Sequence, residues 1–131
     1  MTRIERFEEL VAWQQARELT RQVYSITRSG PFSKDFGLSG KIQRSATSVV
    51  ANIAEGFDRG GRAEFHQFLS VAKGSCAEVR SHLYVAFDAG YISQSGFDAL
   101  LGLAEEVTRI VAGLRSAVGR QRDEQRNKPH D

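Results

Sequence analysis

A chain of 131 residues corresponds to one ordinary domain, and its hydrophobic content of 40% is enough for a modest core, which excludes disorder of the whole chain. Its 18 Lys and Arg residues nearly balance 16 Asp and Glu residues, so net charge alone indicates no nucleic-acid partner. One cysteine, Cys76, excludes an internal disulfide, and residues 1–10 resemble neither a signal peptide nor a membrane span. We therefore expect a cytoplasmic protein without membrane contact.

The first predicted helix covers about residues 7–28. Its apolar side chains recur at steps of three and four residues, the spacing that lines one face of a helix. They are Ala12, Ala16, Leu19, Val23 and Ile26. The sequence Ser29-Gly30-Pro31 should end this helix, because glycine readily follows a helix and proline cannot continue one.

A second helix should begin after a turn at residues 33–37, with Ser33 or Ser39 as its N-cap. Its apolar stripe includes Ile42, Val49 and Ile53. Many of the intervening side chains are small, which predicts that a neighbouring helix approaches closely.

Two further helices complete the prediction. Gly60-Gly61 should connect the second helix to a third helix at residues 62–89. Cys76 lies on the apolar stripe of this third helix, so we interpret it as a buried thiol and not as a nucleophile. Ser93 or Ser95 should cap a fourth helix. Residues 120–131 contain no apolar side chain and should form a flexible polar tail. The prediction is an all-α, antiparallel up-down-up-down four-helix bundle over residues 1–119.

The second helix also carries a polar ridge, formed by Arg44, Ser48, Asn52 and Glu55, which fall on one side of the helix away from its apolar stripe. Three interpretations stay open. The ridge is a solvated face, it hydrogen-bonds another helix and fixes the register of a bundle or of subunits, or it contacts a ligand directly.

Basic residues near the second and third helices are candidate nucleic-acid contacts. They are Lys41, Arg44, Arg59, Arg62 and Lys73. Acidic neighbours dilute this positive charge, and no helix-turn-helix, zinc-finger or RNA-recognition signature accompanies it. A solvated surface of mixed charge is the alternative interpretation.

Catalytic motifs are missing from the sequence. It has no His-Glu-x-x-His pair, paired-cysteine motif, phosphate-binding glycine loop or Gly-x-Ser-x-Gly elbow. Glu78, His82 and His66 lie on one predicted helix, but a metal site needs more ligands than this helix supplies, so we interpret them as surface residues. The sequence predicts no enzyme, no cofactor and no metal.

The stretch from Ile42 to Gly56, which ends in Asn52-Ile53-Ala54-Glu55-Gly56, resembles the signature of a bacterial family of four-helix-bundle proteins. These are the ribosomal RNA intervening-sequence, or S23-type, proteins. The resemblance extends over nearly the whole chain, from Phe7 to Ile92. It implies that Arg44, Ser48, Asn52, Glu55 and Gly56 form the family motif and an interface.

The same resemblance implies a ring-like homopentamer. The family is also similar to accessory proteins of diversity-generating retroelements, which associate with a reverse transcriptase and with nucleic acid. The first functional hypothesis is therefore a non-catalytic, homo-oligomeric scaffold bound to RNA, to DNA, or to a nucleic-acid-processing partner such as a reverse transcriptase. The alternative is a protein-binding adaptor that does not contact nucleic acid.

Overall fold

The computed structural model describes residues 3–127, and this part of the chain is helical without a β-strand. The four α-helices are α1 (Val11–Thr27), α2 (Phe36–Asp58), α3 (Arg62–Asp88) and α4 (Gln94–Arg126). Two short 3-10 helices, Phe7–Glu9 and Pro31–Lys34, precede α1 and α2. The prediction of an all-α four-helix fold is confirmed.

Neighbouring helices run antiparallel, as contacts between their side chains show. Thr20 Oγ1 donates a hydrogen bond to the carbonyl of Ala46 (3.2 Å), while Thr27, later in α1, accepts one from Gln43, earlier in α2 (2.9 Å). The same reversed order joins Ser45 to Glu78 and Ser48 to Ser75 between α2 and α3, and Ser70 to Arg115 and His66 to Arg122 between α3 and α4. Because α1 also packs against α4, the four helices close into an up-down-up-down bundle.

The core lies along the shared axis of the four helices and is built from the apolar stripes that the sequence predicts. Its fully buried members include Leu19 and Val23 of α1, Ile42, Val49 and Ile53 of α2, Leu69, Cys76, Val79 and Leu83 of α3, and Val107 and Val111 of α4. Gly30, Gly60 and Gly90 follow α1, α2 and α3 with positive φ angles of 63°, 83° and 79°. Glycine adopts this conformation without steric cost, which explains why it separates the helices.

The predicted N-cap of α2 is wrong. The cap is Asp35, whose Oδ1 accepts a hydrogen bond from the backbone N–H of Leu38 (3.1 Å). Ser39 lies inside the helix and is buried, and Ser33 belongs to the preceding 3-10 helix, where its hydroxyl donates to the carbonyl of Gly30 (2.6 Å). Asp35 also accepts a hydrogen bond from the Tyr91 hydroxyl (2.9 Å), a partner that only the tertiary fold supplies. For α4, where Ser93 or Ser95 was predicted as the cap, the cap is Ser93.

The end of α4 also differs from the prediction. The helix continues past Gly119 to Arg126, so most of the segment predicted as a tail is helical. Arg122 is partly buried against His66 of α3, and this contact supports the extra turns. Residues 128–131 lie outside the described part of the chain, and the flexibility of the polar segment stays a prediction.

Gly56 shows how closely α2 and α3 approach. A Cβ atom added at this buried glycine would lie 2.6 Å from Cβ of Phe68 and 3.1 Å from Cδ1 of Phe65. The small-residue pattern of α2 thus predicts its packing correctly. Within residues 3–127, no helix combines the length and the apolar content that crossing a membrane requires.

Candidate functional site

The polar ridge of α2 borders an open surface depression between α2 and α3, which we call the α2/α3 groove. The depression is lined by Lys41, Arg44, Ser45 and Ser48 of α2 and by Val71, Ser75, Glu78 and His82 of α3. Side chains at steps of three and four along each helix meet here because the two helices run side by side over most of their length.

Ser48 and Asn52 form the inner part of the ridge, and Ser48 connects α2 to α3. The hydroxyl groups of Ser48 and Ser75 are 2.8 Å apart. Asn52 Nδ2 donates to the carbonyl oxygen of Ser48 (2.7 Å) and to its Oγ (3.0 Å). Since Ser48 Oγ accepts from Asn52, its own proton is available to Ser75. Ser48 therefore hydrogen-bonds another helix, and Asn52 supports it from within α2.

Arg44 and Glu55 form the outer, exposed part of the ridge. Arg44 lies along the backbone at Gly40, where an added Cβ would be 2.9 Å from its Nη1. Glu55 pairs with Arg59 one turn later at 2.9 Å, and both side chains are about half exposed. Arg44 takes part in none of the ion pairs of residues 3–127, so its positive charge is available to a partner.

Arg59 is held by its own neighbours. Its guanidinium lies 3.9 Å from Glu64 as well as against Glu55, and it stacks over the ring of Phe68 with 5.2 Å to the centroid. A hydrogen bond from Arg59 to Glu55, reinforced by the charges of Glu55 and Glu64, raises the pKa of the guanidinium. Arg62 lines a different depression, at the end of the bundle.

The five predicted basic residues do not converge on one patch. Arg44 and Arg59 are 15 positions apart, and an α-helix rises about 1.5 Å per residue, so they lie about 22 Å apart along the axis. Lys73 is exposed on α3, one turn beyond Ser70, on the side of α3 that faces α4. The structure therefore leaves Lys41 and Arg44 as the pair of predicted contacts that share a site.

His82 lies at the end of the groove beside Glu78 and Lys41. Burial lowers the pKa of His82, the charge of Glu78 opposes this effect, and the charge of Lys41 adds to it. The groove therefore presents two cations, three serine hydroxyls, one carboxylate and an imidazole whose charge depends on pH. Such a donor-rich set is suited to recognition by hydrogen bonds and charge.

A second polar cluster, between α3 and α4, was missed by the sequence analysis. Arg115 Nε donates to Ser70 Oγ (2.7 Å), and Arg122 Nη1 lies 3.2 Å from His66 Nδ1. Arg115 and Arg122 are seven positions apart, which places them on one face of a continuous helix. The predicted helix end at Gly119 concealed this spacing.

No group of three or more His, Cys, Asp or Glu side chains within residues 3–127 is arranged to hold a metal ion. His66 and His82 lie on opposite sides of α3, towards α4 and α2 respectively. Cys76 is fully buried, as predicted, and burial raises the pKa of its thiol.

Comparison with known proteins agrees with this architecture. The sequence model of the 23S rRNA-intervening sequence protein family matches residues 8–113. No curated protein matches the sequence. A crystal structure of a protein of unknown function from the S23 ribosomal protein family of Bacteroides thetaiotaomicron is similar, with a TM-score of 0.73 and 23% identity over 80% of this chain and 98% of the other. That likeness shows the fold, and the family match over most of the chain shows that the protein belongs to the 23S rRNA-intervening sequence protein family.

Proposed function

We propose that the protein is a non-catalytic, self-assembling helical scaffold that associates with RNA or DNA through the α2/α3 groove. The observation that carries the proposal is the position of Lys41 and Arg44 beside the hydroxyl groups of Ser45, Ser48 and Ser75. Neither cation belongs to an ion pair in the described part of the chain. Cationic and hydroxyl side chains are the groups that most often contact phosphate oxygens in nucleic-acid complexes.

The family description supports the same proposal, since it refers to an intervening sequence of 23S ribosomal RNA. The resemblance of the Asn52-to-Gly56 motif implies a homopentamer, and exposed apolar side chains on α3 support self-association. Tyr84 and Val85, neither of which lines the groove, are 52% and 50% exposed. Apolar groups on a solvent face favour contact with another protein surface.

A protein-binding adaptor is the second candidate, and the acidic groups of the groove and of the polar ridge, Glu78 and Glu55, favour it. Glu78 accepts a hydrogen bond from Ser45 (3.2 Å), and Glu55 lies beside Arg59. Carboxylates repel phosphate but can pair with basic residues of a partner protein.

Molar mass by light scattering after size exclusion, with absorbance recorded at two ultraviolet wavelengths, tests assembly and co-purifying nucleic acid together. A mass of five chains with excess nucleic-acid absorbance supports the scaffold. An assembly that lacks nucleic acid and also fails to bind added RNA or DNA favours the adaptor. A monomer that binds no nucleic acid contradicts both parts of the proposal.

Binding of RNA and DNA oligonucleotides at several salt concentrations then tests the groove. The variant Lys41→Gln/Arg44→Gln should bind more weakly, and the slope of log affinity against log salt should become shallower by about two, because two phosphate contacts are lost. Arg28→Gln/Arg109→Gln, which removes two exposed charges elsewhere, is the control. Equal effects of the two double variants would contradict contact through the groove, and salt-independent capture of a protein would favour the adaptor.

A further inference from the structure

We propose that the side of the bundle between α3 and α4 holds an oxyanion site that takes a phosphate group. Arg115 and Arg122 would contact the anion, while Ser70 and the neutral ring of His66 hold the two arginines in place before the anion binds. The site is separate from the α2/α3 groove, so it does not depend on the function proposed above. Three of these side chains are half buried at the junction of the two helices, and Arg122 is 25% exposed.

Neutral groups of α3 hold the two guanidinium groups in place. Ser70 Oγ donates to the carbonyl of His66 (3.0 Å), which leaves its lone pairs to accept from Arg115 Nε at 2.7 Å. Arg115 belongs to no ion pair within residues 3–127, whereas Arg122 Nε pairs with Asp123 (3.1 Å). The remaining N–H groups of Arg115, which neither Ser70 nor a carboxylate engages, are therefore available to an anion.

The spacing suits one tetrahedral anion. His66 and Ser70 lie one helical turn apart, about 6 Å along α3, and each contacts one of the two arginines. The guanidinium groups therefore approach the same short stretch of α3 although their backbones are two turns apart in α4. Planar guanidinium groups bind phosphate oxygens through paired N–H donors, which a lysine cannot do.

The charges around His66 indicate an excess of positive potential. Burial lowers the pKa of His66, and the cations Arg115, Arg122 and Arg126 lower it further, while Asp123 alone opposes them. On α3 itself, Arg62 lies one turn earlier. Nδ1 of His66 accepts from Arg122 only while the imidazole is neutral. A bound anion would offset the arginine charges and favour the protonated imidazole, whose N–H would then donate to the anion in place of that contact. Anion binding should therefore take up a proton at His66 and strengthen as the pH falls towards the histidine range.

Gly119 makes the arrangement possible. A Cβ at this position would lie 3.1 Å from Cδ2 and 3.3 Å from Nε2 of His66, so the glycine lets the imidazole pack directly on α4. The family match ends at residue 113, before the α4 residues of the site. The site is thus assigned from this chain's own structure.

Sulfate is the probe for the first experiment, because it keeps two negative charges throughout the pH range in which histidine titrates. Its affinity is measured by isothermal titration for the wild-type chain and for Arg115→Gln, Arg122→Gln and Arg109→Gln. The two site variants should each weaken binding about tenfold, since each removes charge-assisted hydrogen bonds. Arg109→Gln removes an exposed charge from the same helix and should change the affinity less than about twofold.

NMR spectra of the histidine rings supply the second readout. Sulfate should shift the His66 ring signals and raise the pKa of His66, while the pKa of His82 should not change. The variant His66→Gln should still bind sulfate, but its affinity should not vary with pH across the histidine range. Equal weakening by Arg109→Gln and the site variants, or His66 signals that ignore sulfate, would show an adventitious ion only and overturn the site.

Two further binding experiments, with inorganic phosphate and with an RNA oligonucleotide, distinguish a free phosphate group from a phosphodiester as the ligand. If Arg115→Gln weakens both inorganic phosphate and an RNA oligonucleotide, the site takes a phosphodiester; if it weakens inorganic phosphate alone, the site takes a free phosphate group. Lys41→Gln/Arg44→Gln should leave sulfate affinity unchanged. Failure of the α2/α3 groove and failure of this site are therefore distinguishable. Melting curves of each variant confirm that it remains folded.

Discussion

Gly56 and Gly74 have opposite surroundings although both lie inside helices. At Gly56 the two helix backbones approach so closely that a methyl group would overlap Phe68, whose Cβ cannot move without its backbone. At Gly74, which is exposed on α3, an added Cβ would meet nothing within 4 Å. A side chain therefore costs packing at one glycine and lowers the entropy of the unfolded chain at the other.

Gly56→Ala should lower the free energy of unfolding by about 1–3 kcal/mol, the usual cost of overfilling a packed core. Gly74→Ala, the matched control, should raise it by about 0.5–1 kcal/mol, because alanine favours the helix. Urea unfolding followed by circular dichroism measures both. If Gly56→Ala proved as stable as the wild type, the close approach of α2 and α3 would be contradicted.

Two residues of the polar ridge, Asn52 and Glu55, should differ in how much they stabilise the fold. Asn52→Ala removes two hydrogen bonds to Ser48 in a half-buried position and should cost about 1 kcal/mol. Glu55→Ala breaks an exposed ion pair with Arg59 and should change stability by less than about 0.5 kcal/mol. Chemical denaturation of the two variants should separate them. Equal losses would mean that Glu55 has a structural role that its exposure does not indicate.

Among the elements, α2 depends most visibly on one cap. Two hydrogen bonds lower the pKa of Asp35 below its ordinary value of 3.8. The larger effect comes from the backbone N–H of Leu38 and the smaller one from the Tyr91 hydroxyl. A carboxyl whose pKa is lower in the folded state stabilises the fold above its unfolded pKa. This stabilisation is lost as the pH falls through the pKa that Asp35 has in the folded state.

Asp35→Ala should therefore melt at a lower temperature than the wild type at neutral pH, and the difference should shrink as the pH drops below 3.8. Asp35→Asn is the control, because asparagine caps a helix without a titrating charge, so its stability should lack this component of the pH dependence. Thermal melts across the acidic range test both variants. A difference between Asp35→Ala and the wild type that stays constant with pH would argue against the carboxylate cap.

The sequence predicts elements well where one helix's own pattern decides the structure. The apolar stripes placed Leu19, Ile42 and Cys76 on buried faces, and Gly60-Gly61 marked a helix boundary. The cap of α2 was missed because Asp35 was assigned to a turn, and its second partner, Tyr91, is 56 positions away. Side-chain partners at that separation become visible only when the helices are assembled.

At the scale of the whole molecule, α4 is the longest helix, with 33 residues against 17 in α1. The sequence placed its end at Gly119 because no apolar residue follows. The remaining turns carry Arg122, which contacts His66 across the helix pair. The candidate site between α3 and α4 was missed for the same reason, because Arg122, one of its two arginines, lies beyond the predicted end of the helix. Polar contacts between helices leave no hydrophobic periodicity in the sequence.

Ending the chain after Gly119 should leave the bundle folded, because the last buried side chain of α4, Val118, is retained. We expect the loss in unfolding free energy to be below about 1 kcal/mol, since the removed contacts are polar and partly exposed. The truncated chain should lose sulfate affinity together with Arg122. Denaturant titration checks the first expectation and calorimetry the second. Unfolding on truncation would show that the overhanging turns of α4 are part of the core.

Chemical modification of Cys76 can be used to measure how often the helix bundle opens. Its thiol is wholly enclosed, and burial raises its pKa, so a thiol-specific reagent cannot reach the reactive thiolate while the helices stay together. The rate at which such a reagent modifies the native protein therefore counts the events that separate α3 from its neighbours. Each copy in an assembly carries this single reporter, so labelling before and after dilution would show whether subunit contacts keep the individual bundles closed.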